Sequence, residues 1–360
     1  MTSDEELRAR RERCTRFLGG HGPATAASLL ATIPPATETD TYGQGGVVAE
    51  LEAEICRLLG KSAAAFLPSG TMAQQAVLRV HADGRHRRTV LFHPMCHLER
   101  HEEQAHQRLH GLTGRTVGDP NRLLTLDDLN QVTEPAAALL IELPQRDIGG
   151  QQPDLDVLLA QVAWAHERGT AAHLDGARLW ESAAGYGRPP AEVAALFDTV
   201  YVSFYKGIGA LPGCCVAGPQ DVIGQVRDWR RRMGGTLYGL WPGAASALSC
   251  LAERLPRFPA YLERARALAA VLAQTPGVTV VPDPPQVSMM HLLLAVSKDS
   301  YEAAAKRLAD ERGIWITPTC MTTTDPGVQR IELSVGDATL EFEPGEVSEI
   351  LAQVTGPGGS

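Results

Sequence analysis

Lysine is scarce in this 360-residue chain, with only four copies (Lys61, Lys206, Lys298, Lys306), and aromatic residues make up 5%. Long apolar runs are missing too. Runs such as residues 136–141 and 292–296 fall far short of the ~20 residues a membrane helix needs, so no bilayer-spanning segment is expected. Positive charge is in deficit: 33 basic against 42 acidic residues leave a net charge of -9. That balance gives no footprint for a nucleic-acid backbone or an anionic membrane, and it points to a small-molecule partner. The seven cysteines are odd in number and scattered, without C-x-x-C spacing, which reads as reduced thiols of a cytoplasmic protein. The N-terminus is charged where a secretory signal needs an apolar centre.

What is present is an ordinary globular composition, 44% hydrophobic and 21% charged, in a chain too long for one core. Residues 1–39 read as an N-terminal arm, 40–250 as a large domain, 251–355 as a small α+β domain, and 356–360 as a loose tail. Helical spacing at Val48, Leu51, Ile55 and Leu58 stops at Gly60. Beyond it, apolar strands alternate with helices: strands at 63–67, 89–92, 136–142, 170–175 and 199–204, helices opening at Gly70 and over 153–168. The second of these helices is expected to bury Leu155, Leu159, Val162 and His166. This alternation predicts an α/β core, a mainly parallel sheet of the seven-stranded type covered by helices, with ligands at the carboxyl ends of the strands.

Lys206 stands in Ser203-Phe204-Tyr205-Lys206-Gly207, where an apolar strand ends and a glycine turn begins. There its amine can be desolvated enough to attack an aldehyde, whereas the other three lysines sit at polar margins. Asp175 ends another strand, in His173-Leu174-Asp175-Gly176-Ala177-Arg178, and so reaches the same sheet edge. An aspartate so placed either caps the following helix or pairs with the pyridinium nitrogen of pyridoxal phosphate. Ser69-Gly70-Thr71, opening a helix, offers N–H groups, hydroxyls and a positive dipole end to a phosphate. The glycines of residues 42–46 make no dinucleotide fingerprint. His93, His97 and His101 are spaced four apart, but His93 precedes Pro94 and no carboxylate triad accompanies them. His97 alone suits an imidazole lying on a planar cofactor and moving protons near neutral pH.

These residues resemble a family. Asp-Thr-Tyr-Gly at 40–43, Pro68-Ser69-Gly70-Thr71-Met72-Ala73, His97, Glu142, the run from His173 to Trp180 and Tyr205-Lys206-Gly207 follow the order and spacing of the threonine aldolase and β-eliminating lyases. Those are pyridoxal-phosphate enzymes of fold type I. The resemblance implies that Lys206 bonds covalently to the cofactor aldehyde, Asp175 pairs with its ring nitrogen, His97 stacks on the ring, and Ser69, Gly70 and Thr71 hold the phosphate. Ser203 and Arg178 are placed with the cofactor as well. Arg178, Arg330 and Tyr42 are the expected substrate contacts, the arginines as forks for a carboxylate.

Several segments depart from the family pattern. The family's Tyr-Gly-Glu-Asp-Pro loop reads Tyr42-Gly43-Gln44-Gly45-Gly46, its Glu-Asn-Thr-His-Asn reads Glu142-Leu143-Pro144-Gln145-Arg146, and its Gly-Gly-Gly-Met-Arg reads Gly234-Gly235-Thr236-Leu237-Tyr238, without the arginine. The expected activity is retro-aldol cleavage of a β-hydroxy-α-amino acid to glycine and an aldehyde, in a cytoplasmic homodimer or homotetramer. β-Elimination or side-chain transfer with the same cofactor is the alternative. Outside that class stand a metallo-hydrolase built on the three histidines and a non-catalytic binding protein.

Overall fold

Strands such as Val200–Val202 and residues 139–141 are buried on both faces, and sheets of that kind need helices on either side. A computed structural model describes residues 3–321 and 323–356 of this chain. It resolves into two compact units, Thr25–Pro256 and a second made from the residues up to Ala24 and those from Arg257 onward.

The larger unit is built on a seven-stranded sheet. Its strands are β1 (Ala63–Leu67), β2 (Thr89–Phe92), β3 (Thr113–Thr116), β4 (Ala138–Glu142), β5 (Ala171–Gly176), β6 (Thr199–Ser203) and β7 (Cys214–Gly218), in the order β1-β7-β6-β5-β4-β2-β3. All neighbours are parallel except β7, which runs antiparallel to both β1 and β6. β3, short and polar, is absent from the sequence reading because Thr-Gly-Arg-Thr carries no apolar signal. Helices α1 (Gly46–Leu59), α2 (Gly70–Arg85), α3 (Leu155–Glu167), α4 (Gln220–Arg232) and α5 (Trp241–Arg254) belong to this unit. α1 ends as its sequence predicts, with Gly60 in the left-handed conformation that glycine adopts without steric cost.

The buried face of α3 differs from expectation. Leu158, Val162 and Ala165 are buried, whereas Leu159 is 43% exposed. Two apolar stripes overlap on this helix, so periodicity alone does not say which one turns inward.

The smaller unit carries a three-stranded antiparallel sheet of β8 (Val278–Val281), β9 (Met289–Leu294) and β10 (Gln329–Ser334), with β9 central. Its helices are α6 (Phe258–Leu272), α7 (Lys298–Arg312) and α8 (Pro344–Thr355). The N-terminal segment joins this unit through side chains far away in sequence. Arg16 and Phe17 pair in parallel with Ile314 and Trp315, Arg16 grips the Glu346 carboxylate at 2.6 and 2.8 Å, and Arg10 meets Asp310 at 2.8 Å. The unit boundaries therefore fall after Ala24 and Pro256, not after residues 39 and 250, because the arm divides between two cores. Of the expected tail, residues 357–360 lie outside the described residues. Among the described residues no helix is long and apolar enough to cross a membrane.

Candidate active site

At the carboxyl edge of the large sheet the strands end in register. Glu142 of β4 lies beside Asp175 of β5, and Asp175 beside Tyr201 of β6. In-register neighbours on parallel strands project from the same face, so two carboxylates and a phenol stand in a row. The chain after β6 then brings Lys206 to this edge. A cavity of about 270 Å³ opens there, near the lower end of the range for small-molecule sites. Ser69, Gly70, Thr71, His97, Asp175, Arg178 and Lys206 all line it. Seven residues read from separate stretches of the sequence thus converge on one site.

Asp175 is buried, and its Oδ1 accepts the Ala177 N–H at 3.1 Å. Burial pushes its carboxyl up from the usual range, while the charges of His97 and Lys206 pull it back down. Glu142 is raised as well, first by burial and then by the Asp175 charge beside it, although it accepts backbone N–H groups from His97 at 3.0 Å and Arg146 at 3.2 Å. Two raised carboxyls side by side favour a cation next to them.

His97 heads a four-residue helical turn. Its Nδ1 is 3.0 Å from Oε1 of the buried Glu102, whose Oε2 accepts the Gln75 amide at 2.9 Å. That carboxylate holds the imidazole above its ordinary value, against the opposing pull of burial. The sequence reading missed Glu102. It follows directly on a four-residue helical turn closed by His101, which is too short to carry a periodic pattern that would pair it with His97.

The phosphate candidates sit where α2 begins. A Cβ at Gly70 would lie 2.3 Å from the Tyr201 hydroxyl, so only glycine allows this close approach of helix to strand. The Tyr201 and Tyr205 phenols are hydrogen-bonded to each other, and burial raises both. Gln74, one turn into α2, also lines the cavity, as do Glu102 and Arg146. Spacing four residues after Gly70 is the signal that would have found Gln74.

Two predicted site residues of the larger unit are not among the lining residues. Ser203 is buried at the end of β6. Tyr42 lines a different cavity of the larger unit with Gln44, Arg231 and Thr236. Its ring meets Tyr238 edge-on at 5.4 Å, and its N–H donates to the Tyr238 carbonyl. Two of the three segments in which family motifs are rewritten therefore pack against each other. Arg330 belongs to β10 of the smaller unit, opposite Leu293.

The three histidines four apart do not converge on a shared centre. His93 Nε2 faces the carbonyls of Asp119 and Arg122, His97 faces Glu102, and His101 Nε2 lies 2.9 Å from Asp147. Among the described residues no group of three His, Cys, Asp or Glu side chains is arranged to hold a metal ion.

Comparison with known proteins agrees with this architecture. The family model described as "Beta-eliminating lyase" matches residues 24–295. The chain is 28% identical over 253 residues to low-specificity L-threonine aldolase 1 of Arabidopsis thaliana, covering 68% of this chain and 70% of that protein. Among solved structures it is similar to a Listeria monocytogenes protein provisionally assigned as an L-allo-threonine aldolase, at TM-score 0.91 and 39% identity over 98% of both chains. A serine palmitoyltransferase from S. paucimobilis with pyridoxal phosphate bound shares the fold at TM-score 0.69 and 17% identity, over 94% of this chain and 86% of that one. The sheet, the converging lysine and aspartate, and these likenesses together establish that the chain belongs to the threonine aldolase and β-eliminating lyase family, as a pyridoxal-phosphate-dependent lyase of fold type I.

Proposed function

We propose that this enzyme cleaves a β-hydroxy-α-amino acid between Cα and Cβ, releasing glycine and an aldehyde. The observation that carries the reading is the shared cavity of Lys206, Asp175 and His97, in which the imidazole is held basic by Glu102. Bound pyridoxal phosphate supplies an electron sink conjugated to the substrate's α-carbon. Lys206 would present the amine that holds the cofactor aldehyde. Asp175 keeps a proton on the ring nitrogen, and its burial strengthens that ion pair.

The remaining lining residues divide the other tasks. Ser69, Gly70 and Thr71 present donors and a helix N-terminus to the phosphate. Arg178 offers a fork to the substrate carboxylate, and Arg330 is the second candidate for that task by family resemblance. His97 removes the β-hydroxyl proton, either itself or through a water, so that the bond breaks toward the aldehyde. An active site completed between subunits of a homodimer or homotetramer in the cytoplasm goes with this reading by resemblance.

Purified enzyme loaded with pyridoxal phosphate is expected to be yellow, to be bleached by borohydride, and to release glycine from β-hydroxy amino acids. Lys206→Ala should abolish the bleachable colour and lower turnover by about a thousandfold or more. Release of ammonia and a keto acid in place of glycine and aldehyde would assign β-elimination instead.

A further inference from the structure

From α2 a line of side chains, buried except for the partly exposed Arg85, runs through β6 and then β5 and back to α2. Arg85 Nη1 is 3.3 Å from His81 Nδ1, His81 Nε2 is 2.8 Å from Thr199 Oγ1, Thr199 Oγ1 is 2.8 Å from His173 Nδ1, and His173 Nε2 is 2.8 Å from Gln74 Oε1. Gln74 is 2% exposed, and its Nε2 has no hydrogen-bond partner among the described residues, yet this side chain lines the cavity. An unmatched buried N–H is costly and calls for an acceptor.

The chemistry of the line gives it one direction. A guanidinium only donates, so His81 Nδ1 must be bare and accept. Burial keeps both histidines neutral, pushing His81 down to about 4 and His173 to about 3. Neutral His81 then carries its proton on Nε2 and donates to the Thr199 oxygen. The Thr199 hydroxyl is left to donate to His173 Nδ1, so His173 carries its proton on Nε2 and donates to Gln74. Gln74 must meet that N–H with its oxygen, which turns its NH₂ away from His173. The opposite amide orientation would reverse every bond and set His81 N–H against the Arg85 guanidinium.

We propose that Gln74 is a cofactor-binding residue that donates an amide N–H to an acceptor oxygen of bound pyridoxal phosphate, with its orientation set by the one-way hydrogen-bond line from Arg85. The proposal rests on the reading that this cavity holds the cofactor. Gln74 touches the ligand; His173, Thr199, His81 and Arg85 are positioning residues that act through it.

The test is the affinity of cofactor-free enzyme for pyridoxal phosphate, followed by its visible band. Gln74→Leu is expected to weaken binding roughly tenfold or more, as loss of a hydrogen bond to a charged group does. Thr199→Val breaks the line without touching the cavity and should weaken binding by a smaller factor, while Thr199→Ser, which keeps the hydroxyl, should bind as wild type does. Wild-type affinity in Gln74→Leu overturns the proposal, even if the KM for the amino-acid substrate rises, because the amide would then serve the substrate. Should Gln74→Leu fail to fold, unchanged affinity in Thr199→Val overturns it instead. A wild-type enzyme that binds no cofactor at all would sink the cavity assignment itself, and that outcome is distinct from wild type and Gln74→Leu binding it equally.

Discussion

His97 shows how a single residue acquires a role. Its type allows proton transfer near neutrality, and its partner decides where on the pH scale this happens. Hydrogen bonding to Glu102 stabilises the protonated ring, so the neutral base becomes available only above a raised value. The acid limb of kcat/KM should therefore lie higher than for a free imidazole, and Glu102→Gln, which removes the negative charge, should move it to lower pH. A limb that stays in place in that variant would mean that His97 is not the titrating base. The identities of Lys206, Asp175, His97 and the Ser69-Gly70-Thr71 turn were legible from strand ends and a helix start. Glu102 was not, because the single helical turn between it and His97 is too short to carry a periodic pattern. Tyr42, expected as a substrate contact from the family resemblance, packs its turn on Tyr238.

Elements set how closely groups approach. α2 meets β6 at Gly70, where a methyl group would collide with the Tyr201 hydroxyl. Gly70→Ala should lower cofactor affinity at least roughly tenfold. Adding Tyr201→Phe should restore part of it by removing the closest atom, which a double-mutant cycle on cofactor affinity would register. The buried face of α3 makes a second prediction. Leu158→Ala should cost roughly 2–5 kcal/mol in denaturant unfolding, and Leu159→Ala no more than ~0.5 kcal/mol, because only the first side chain is enclosed. Equal losses would return the helix to the face its periodicity first suggested. Most strands and helices could be read within a few residues of their ends. β3 could not, since its pairing with β2 comes from the sheet and not from its own polar residues.

Across the whole molecule, the same buried histidines couple stability to pH. His81 and His173 are held neutral in the folded state, at about 4 and about 3, whereas unfolded imidazoles titrate near ~6.5. Between those values the unfolded chain binds the extra protons. Their contribution to stability is therefore complete above ~6.5 and is lost as pH falls, by roughly 1 kcal/mol per pH unit for each histidine. Denaturation midpoints should drop from pH 7 to pH 5, and the slope should flatten in His81→Gln; a slope unchanged by that substitution would contradict the assignment. The division into units follows the same logic of long-range contact: Arg16 reaches Glu346 and Phe17 pairs beside Trp315, so the first 24 residues belong with the chain's end. By itself the sequence determined which side chains could carry aldehyde, proton and phosphate chemistry, and which segments alternate as strands and helices, because both follow from residue type and local periodicity. Only the tertiary structure decided which of those side chains face one another, which way the Gln74 amide turns, and where the units divide. Those outcomes depend on contacts between residues tens to hundreds of positions apart, which no local pattern encodes.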